Sequence, residues 1–156
     1  MRVAFLSILL AGASLSTAMA AEGLPTDDPT LKPYQERTAT YVGRCEGDLS
    51  HVGKSDCLYD QTKALRIRVK AELKKRLADA EATVAYGSIG GMSGAERANA
   101  EKRAVLKGQA TWEAYTKAVC DEAAAQVERN GGNGGDLEAG NCMIRHLVNR
   151  YNELRR

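Results

Sequence analysis

Proline is confined to one stretch of this chain, Pro25, Pro29 and Pro33, and none follows in the remaining 123 residues. Nothing covalent therefore interrupts long helices beyond Pro33. Aromatic side chains are also scarce, with one Trp, one Phe and six Tyr, which excludes a core of stacked rings and puts weight on the lone Trp112. Only two histidines are present, His51 in a loop-like stretch and His146 on a helix-coded one, and both read as surface or cap residues. Neither charge sign dominates, 22 Lys and Arg against 20 Asp and Glu, which argues against a dedicated nucleic-acid or anionic-membrane binder. No G-x-S-x-G elbow, complete G-x-x-x-x-G-K-[ST] phosphate loop, C-x-x-C-H haem attachment or H-E-x-x-H pair occurs. The carboxylates lie among Lys and Arg at four-residue spacing, as solvated ion-pair partners. The expectation is a protein without catalytic residues, metal or cofactor.

Long apolar runs are missing too, apart from the first 20 residues. There Arg2 precedes VAFLSILLAGASL, and Ala18-Met19-Ala20 places small residues where a signal peptidase reads. That run is too short for a comfortable membrane span, and nothing later approaches 18 consecutive apolar residues. The first cysteine is Cys45, so the cleavage point offers no thiol for a lipid anchor. Residues 1–20 read as a secretory signal, and the expected location is periplasmic or secreted, without membrane insertion. Removing them takes away Arg2 and leaves 21 basic against 20 acidic side chains in about 136 residues, enough for one domain. Residues 21–33 read as an extended Pro-rich arm and 34–156 as a single helical domain.

What the chain does have is helical periodicity. Tyr34 to Arg44 codes a short helix. Ser55 or Asp56 can then cap a long one running to about Tyr86, with Leu58, Thr62, Leu65, Val69, Leu73, Leu77, Ala80 and Val84 along one face. GSIGGMSG breaks it, and Ser93 with Glu96 forms a capping box that restarts a helix to about Arg129. On that helix Val105, Gln109, Trp112, Thr116, Val119 and Ala123 share a stripe, with Trp112 as its anchor. NGGNGGD, Asn130 to Asp136, ends it, and Leu137 to Arg156 codes a third helix with Met143, Leu147, Tyr151 and Leu154 on one face. The fold class is all-α: a long antiparallel helical hairpin plus a third, C-terminal helix, stapled by two disulfides.

Four cysteines in a secreted chain of this size imply two disulfides, and three pairings are open. Cys45 with Cys57 and Cys120 with Cys142 is the preferred pairing, because each joins a helix end to the adjoining segment. Cys45 with Cys142 and Cys57 with Cys120 competes, because the hairpin gathers all four at one end. Closing loops of 11 and 21 intervening residues contributes about 3 kcal/mol each on the chain-entropy estimate.

Gln109, Trp112, Tyr115 and Cys120, then paired glycines, Cys142, Arg150 and Leu154, resemble the C-terminal signature of the LprI-type lysozyme-inhibitor-like family of small secreted bacterial proteins. The likeness covers roughly Cys45 to Leu154. The chain departs from the family pattern at Thr116, where arginine is usual, and after Cys57, where an Asp, Leu-Asn and Tyr pattern is absent. The resemblance implies a helical envelope protein, with Gln109, Trp112, Tyr115, Arg150 and Leu154 as structural core. It also implies a protein partner, a lysozyme or muramidase-type effector that the chain blocks, or an immunity role against such a toxin.

Two loops qualify as the element that contacts that partner. One is the hairpin tip, where Tyr86, Ile89 and Met92 put apolar groups on a glycine-rich turn. The other is the second break, with Asn130, Asn133 and Asp136. The rival expectation is a non-enzymatic structural or assembly protein of the envelope that self-associates, as a homodimer, or docks through its hairpin.

Overall fold

The computed structural model describes residues 35–47 and 49–156. The signal segment and the proline arm fall within residues 1–34 and lie outside the described residues. Among the described residues four helices follow in order: α1 (Thr38–Val42), α2 (His51–Ala82), α3 (Gly94–Arg129) and α4 (Gly135–Leu154). Single 3-10 turns, Gly43–Cys45 and Thr83–Tyr86, extend α1 and α2. No strand occurs among the described residues, and an isolated bridge pairs Ile89 with Met92.

α2 starts earlier than Ser55 or Asp56 would place it. The Ser50 side chain accepts from the Gly53 amide at 3.1 Å, so Ser50 is the cap and His51 is the first helical residue rather than part of a loop. α4 likewise begins inside the glycine run. A side chain at Gly135 would sit 2.8 Å from Glu128 Oε1 and 3.0 Å from the Ala124 carbonyl, so the bare glycine lets the two helices meet closely.

The core belongs to α4. Ile144, Leu147, Val148 and Tyr151 are buried against Leu58, Leu65 and Val69 of α2, with Tyr41 and Cys45 from the α1 segment packed into the same cluster. Trp112 is packed at the edge of this cluster and only partly buried, so it flanks the core instead of centring it. Each large aliphatic side chain removed from water here is worth about 1.5–3 kcal/mol. Both disulfides join neighbouring segments, Cys45 with Cys57 and Cys120 with Cys142, at Cα separations of 5.6 and 5.5 Å. The second ties α4 directly to α3.

Helix lengths then decide the shape. At 1.5 Å per residue α2 spans roughly 48 Å, α3 roughly 54 Å and α4 only about 30 Å. Gly140 lies against Leu58, and Arg150 reaches Gln109, so α4 runs out near the level of Leu73 and Val105. Beyond that level the hairpin is an arm two helices thick. Its buried residues are small, Ala80, Gly94 and Ala98, and the ion pairs Arg76–Glu101 (3.9 Å) and Lys102–Glu81 (2.9 Å) bridge its sides.

An ionic clamp holds the first described residues to the bundle. Asn152 of α4 donates to the Glu36 carbonyl and accepts from its amide, both at 2.9 Å, while Arg68 of α2 donates to the Glu36 carboxylate and to the Tyr41 hydroxyl. Burial pushes the Glu36 carboxyl up, but the hydrogen bond and charge of Arg68 outweigh it and hold the group below its ordinary 4.5.

A carboxyl held low in the fold stabilises the folded state above its ordinary value and loses that contribution as pH falls below it. Acidification below 4.5 should therefore loosen α1 in the wild type, read as loss of amide protection at 38–42, and should leave an E36Q variant much less pH-sensitive there. At the other end, a Cβ on Gly94 would lie 2.3 Å from the Val84 carbonyl oxygen, so G94A should cost about 1–3 kcal/mol in denaturant unfolding.

Candidate functional site

The two loops that sequence offers as contact elements stand at opposite ends of α3, roughly 50 Å apart, and cannot form one patch. Their chemistry differs as sharply as their position.

At the tip, the chain is a fixed turn. Gly90 and Gly91 have φ of 60° and 82°, left-handed values that glycine adopts without a Cβ penalty, and both central residues of a tight I′-like hairpin need such values. Ile89 and Met92 exchange backbone bonds across it at 3.1 and 3.2 Å. Arg97 reaches back from α3 to the Gly87 carbonyl at 2.6 Å. Ser93 and Glu96 complete the capping box, and the Ser93 amide and hydroxyl on the Glu96 carboxylate hold its pKa below the ordinary range. Upon this frame Tyr86, Ile89 and Met92 are 73, 62 and 43% exposed, with Val84 beside them. Apolar groups on an ordered turn lose little entropy when covered by a partner.

The second break is a structural turn. Gly131, with φ of 78°, and Gly132 donate back to the last carbonyls of α3 at 3.0 Å, a helix-terminating pattern. Asp136 bonds the Ser55 side chain and the His51 ring, the latter at 2.9 Å, and those bonds lower its pKa. Asp136 thereby joins the start of α4 to the start of α2. Asn130 and Asn133 are exposed, but the backbone that carries them is occupied in turning α4 back.

A third feature runs along α3. Arg150 Nε donates to Gln109 Oε1 at 2.9 Å, and Gln109 passes its own amide hydrogen to Glu113 at 2.9 Å. Arg150 also bonds Glu153 and lies 5.8 Å from the centre of the Trp112 ring. Gln109 is buried at 7% exposure, Leu154 packs on the core cluster, and Arg150 is half-buried. Tyr115, expected in the core, is 58% exposed, because two successive steps of three, Gln109 to Trp112 to Tyr115, turn it about 120° away from the buried Gln109. It meets His146 edge to face at 5.8 Å, and burial, then the Arg145 charge, pull that imidazole's pKa down. Cys120, Cys142 and His146 converge within 4.8 Å, but the two sulfurs are bonded to each other and present no thiolates.

Trp112 is also the wall between two depressions that sequence reasoning misses. One, of about 390 Å³, opens toward Arg66 of α2 and Lys117 and Asp121 of α3. The other, wider and about 540 Å³, lies along Ala104, Gly108 and Tyr115. Arg66, Lys117 and Asp121 read in sequence as ordinary solvated charges, and nothing in their spacing marks them.

The family model described as "Lysozyme inhibitor LprI" matches residues 45–154, well over half of the chain, and spans both disulfides, the arm and α4. No curated protein and no solved structure matches the chain.

Replacing Gly90 and Gly91 together with valine forces a β-branched residue into left-handed φ twice. The amides of Ile89 and Met92 should then exchange faster with solvent, while the bundle's melting temperature stays close to wild type because no core residue is touched.

Proposed function

The chain belongs to the LprI lysozyme inhibitor family, and we propose that it is a non-catalytic periplasmic or secreted protein that blocks a lysozyme-like muramidase with its α2–α3 tip. The observation that carries the choice of element is the ordered Ile89–Met92 turn, with its exposed apolar side chains, at the end of an arm that α4 does not thicken. A muramidase binds a sugar chain in a cleft between carboxylates. To block it, an inhibitor needs a protrusion narrow enough to enter and stiff enough to keep its shape.

The tip has both properties. Apolar groups supply the desolvated centre of the contact, and the sides of the arm, with their mixed charges, supply a rim. A standard interface covers about 800 Å² on each partner, so the flanks around Val84 and Arg97 must contribute beyond the turn itself. Non-covalent association suffices for this role, and no residue of the arm has to react. The signal-like start of the sequence and the two disulfides support an oxidising location outside the cytosol.

The oxidised protein should slow wall lysis by at least one member of a panel of lysozymes and effector muramidases and should co-elute with it on gel filtration. Y86S and I89S should each raise the inhibition constant about ten-fold or more with unchanged melting temperature, as expected for central apolar contacts. N133S and D136N should leave inhibition within about two-fold, since rim or non-contact positions contribute little. Inhibition that survives the tip variants but fails in the Asn133 or Asp136 variants would reassign the contact to the base.

A further inference from the structure

The smaller depression beside Trp112 has the make-up of a ligand site, and it lies in the half of the bundle away from the tip. Its floor carries Thr116, which is 1% exposed and whose hydroxyl has no hydrogen-bond partner among the described residues. A buried hydroxyl without a partner is destabilising unless something completes it. On one wall Arg66 has no ion pair among the described residues, only a contact from Nη2 to the Met143 sulfur at 3.4 Å, a weak acceptor for a guanidinium. Across from it Lys117 is paired with Asp121, and Glu113 uses one carboxylate oxygen on Gln109. The indole closes the side, with the Arg150 guanidinium 5.8 Å from its ring centre and itself tied to Gln109 and Glu153.

These groups narrow the ligand by elimination. Two cations and two carboxylates line the depression, so its formal charge is zero. A phosphate or carboxylate would meet Glu113 and Asp121, and an ammonium would meet Arg66 and Lys117. A purely apolar ligand would leave the Thr116 hydroxyl unpaired and strip water from four charges. What matches is a group that both donates and accepts, many times over, on a ring whose carbon–hydrogen face can lie on an indole: a hydroxyl-rich pyranose. The volume of about 390 Å³ is in the range of small-molecule pockets. The second depression begins on the far side of the same indole, so a ligand of several rings could continue over Trp112 toward Gly108, where even an added Cβ would meet nothing within 4 Å.

We propose that this groove on α3 is a binding site for an uncharged oligosaccharide, with Trp112 as platform and Arg66 and Thr116 as hydrogen-bonding residues. The site is independent of the enzyme-blocking tip and does not rest on it. It would let the protein hold a glycan while the arm, some 20 Å or more further along the hairpin, remains free.

Trp112 is the only tryptophan, so its emission reports on this groove alone. The disulfide-bonded chain is titrated with the linear trimer of N-acetylglucosamine, with far-UV circular dichroism melting run on each variant. Wild type should show a saturable change in emission. T116V, which keeps the shape and removes the orphan hydroxyl, should bind about ten-fold more weakly or worse while melting at or above the wild-type temperature, and R66Q should also bind more weakly. A trimer that leaves the emission unchanged up to millimolar concentration, or one that binds T116V and R66Q as tightly as wild type, overturns the proposal. So does a response to a carboxylated sugar such as glucuronic acid in place of the neutral trimer. Muramidase inhibition persisting in T116V separates failure of this site from failure of the tip.

Discussion

The insertion of α4 between the lower halves of α2 and α3 is the contact on which the rest depends. Two helices alone bury little, and this chain has few large residues with which to do better. Ile144, Leu147 and Val148, each at most 1% exposed, fill the seam that Leu65 and Val69 line from the other side. The Cys120–Cys142 bond holds α4 in that seam by constraining the unfolded chain, and Gly135 and Gly140 let its first turns approach α3 and α2 closely. The Asn152 amide then extends the same helix's grip to the backbone of Glu36.

Because α4 is the shortest of the three long helices, the support it gives ends partway along the hairpin. The consequence is a division of labour within one continuous element. The lower part of α2 and α3 belongs to a three-helix core, whereas the upper part is held by close backbone approach at Ala80, Gly94 and Ala98 and by ion pairs on its sides. Surface ion pairs of this kind are worth at most about 1 kcal/mol each, so the order of the tip comes chiefly from its turn geometry and capping box. An element so built is thin, stiff at its end and apolar where it is exposed, which suits entry into a cleft. Its physical origin is a length mismatch between helices.

Much of this is legible in the residues and some is not. The absence of proline after Pro33, the Ser93–Glu96 box and the two glycine runs locate the hairpin, and cysteine position favours the pairing that the fold adopts. Gly53 and the Ser55-Asp56 pair disguise the first turn of α2 as a loop, since glycine and small polar residues code for both. Trp112 reads as central from its size and its place on the α3 stripe, yet a helix offers more than one face, and the α4 face takes the middle. Tyr115 reads as core only through the family resemblance, and it is exposed. The Arg66, Thr116 and Lys117 grouping is invisible in sequence because it joins α2 to α3 across positions about fifty apart, and only the register set by α4 brings them together. Burial of Gln109 beside Arg150 belongs to the same class of long-range pairing.

The most direct test of a blocking tip is hydrogen–deuterium exchange on the complex of this protein with a muramidase that it inhibits. Protection gained on binding should concentrate at residues 84–93 and along the adjoining sides of the arm, with α4 and the 130–136 turn unchanged. Protection confined to 130–136, or to the α4 end of the bundle with the tip still exchanging freely, would contradict it.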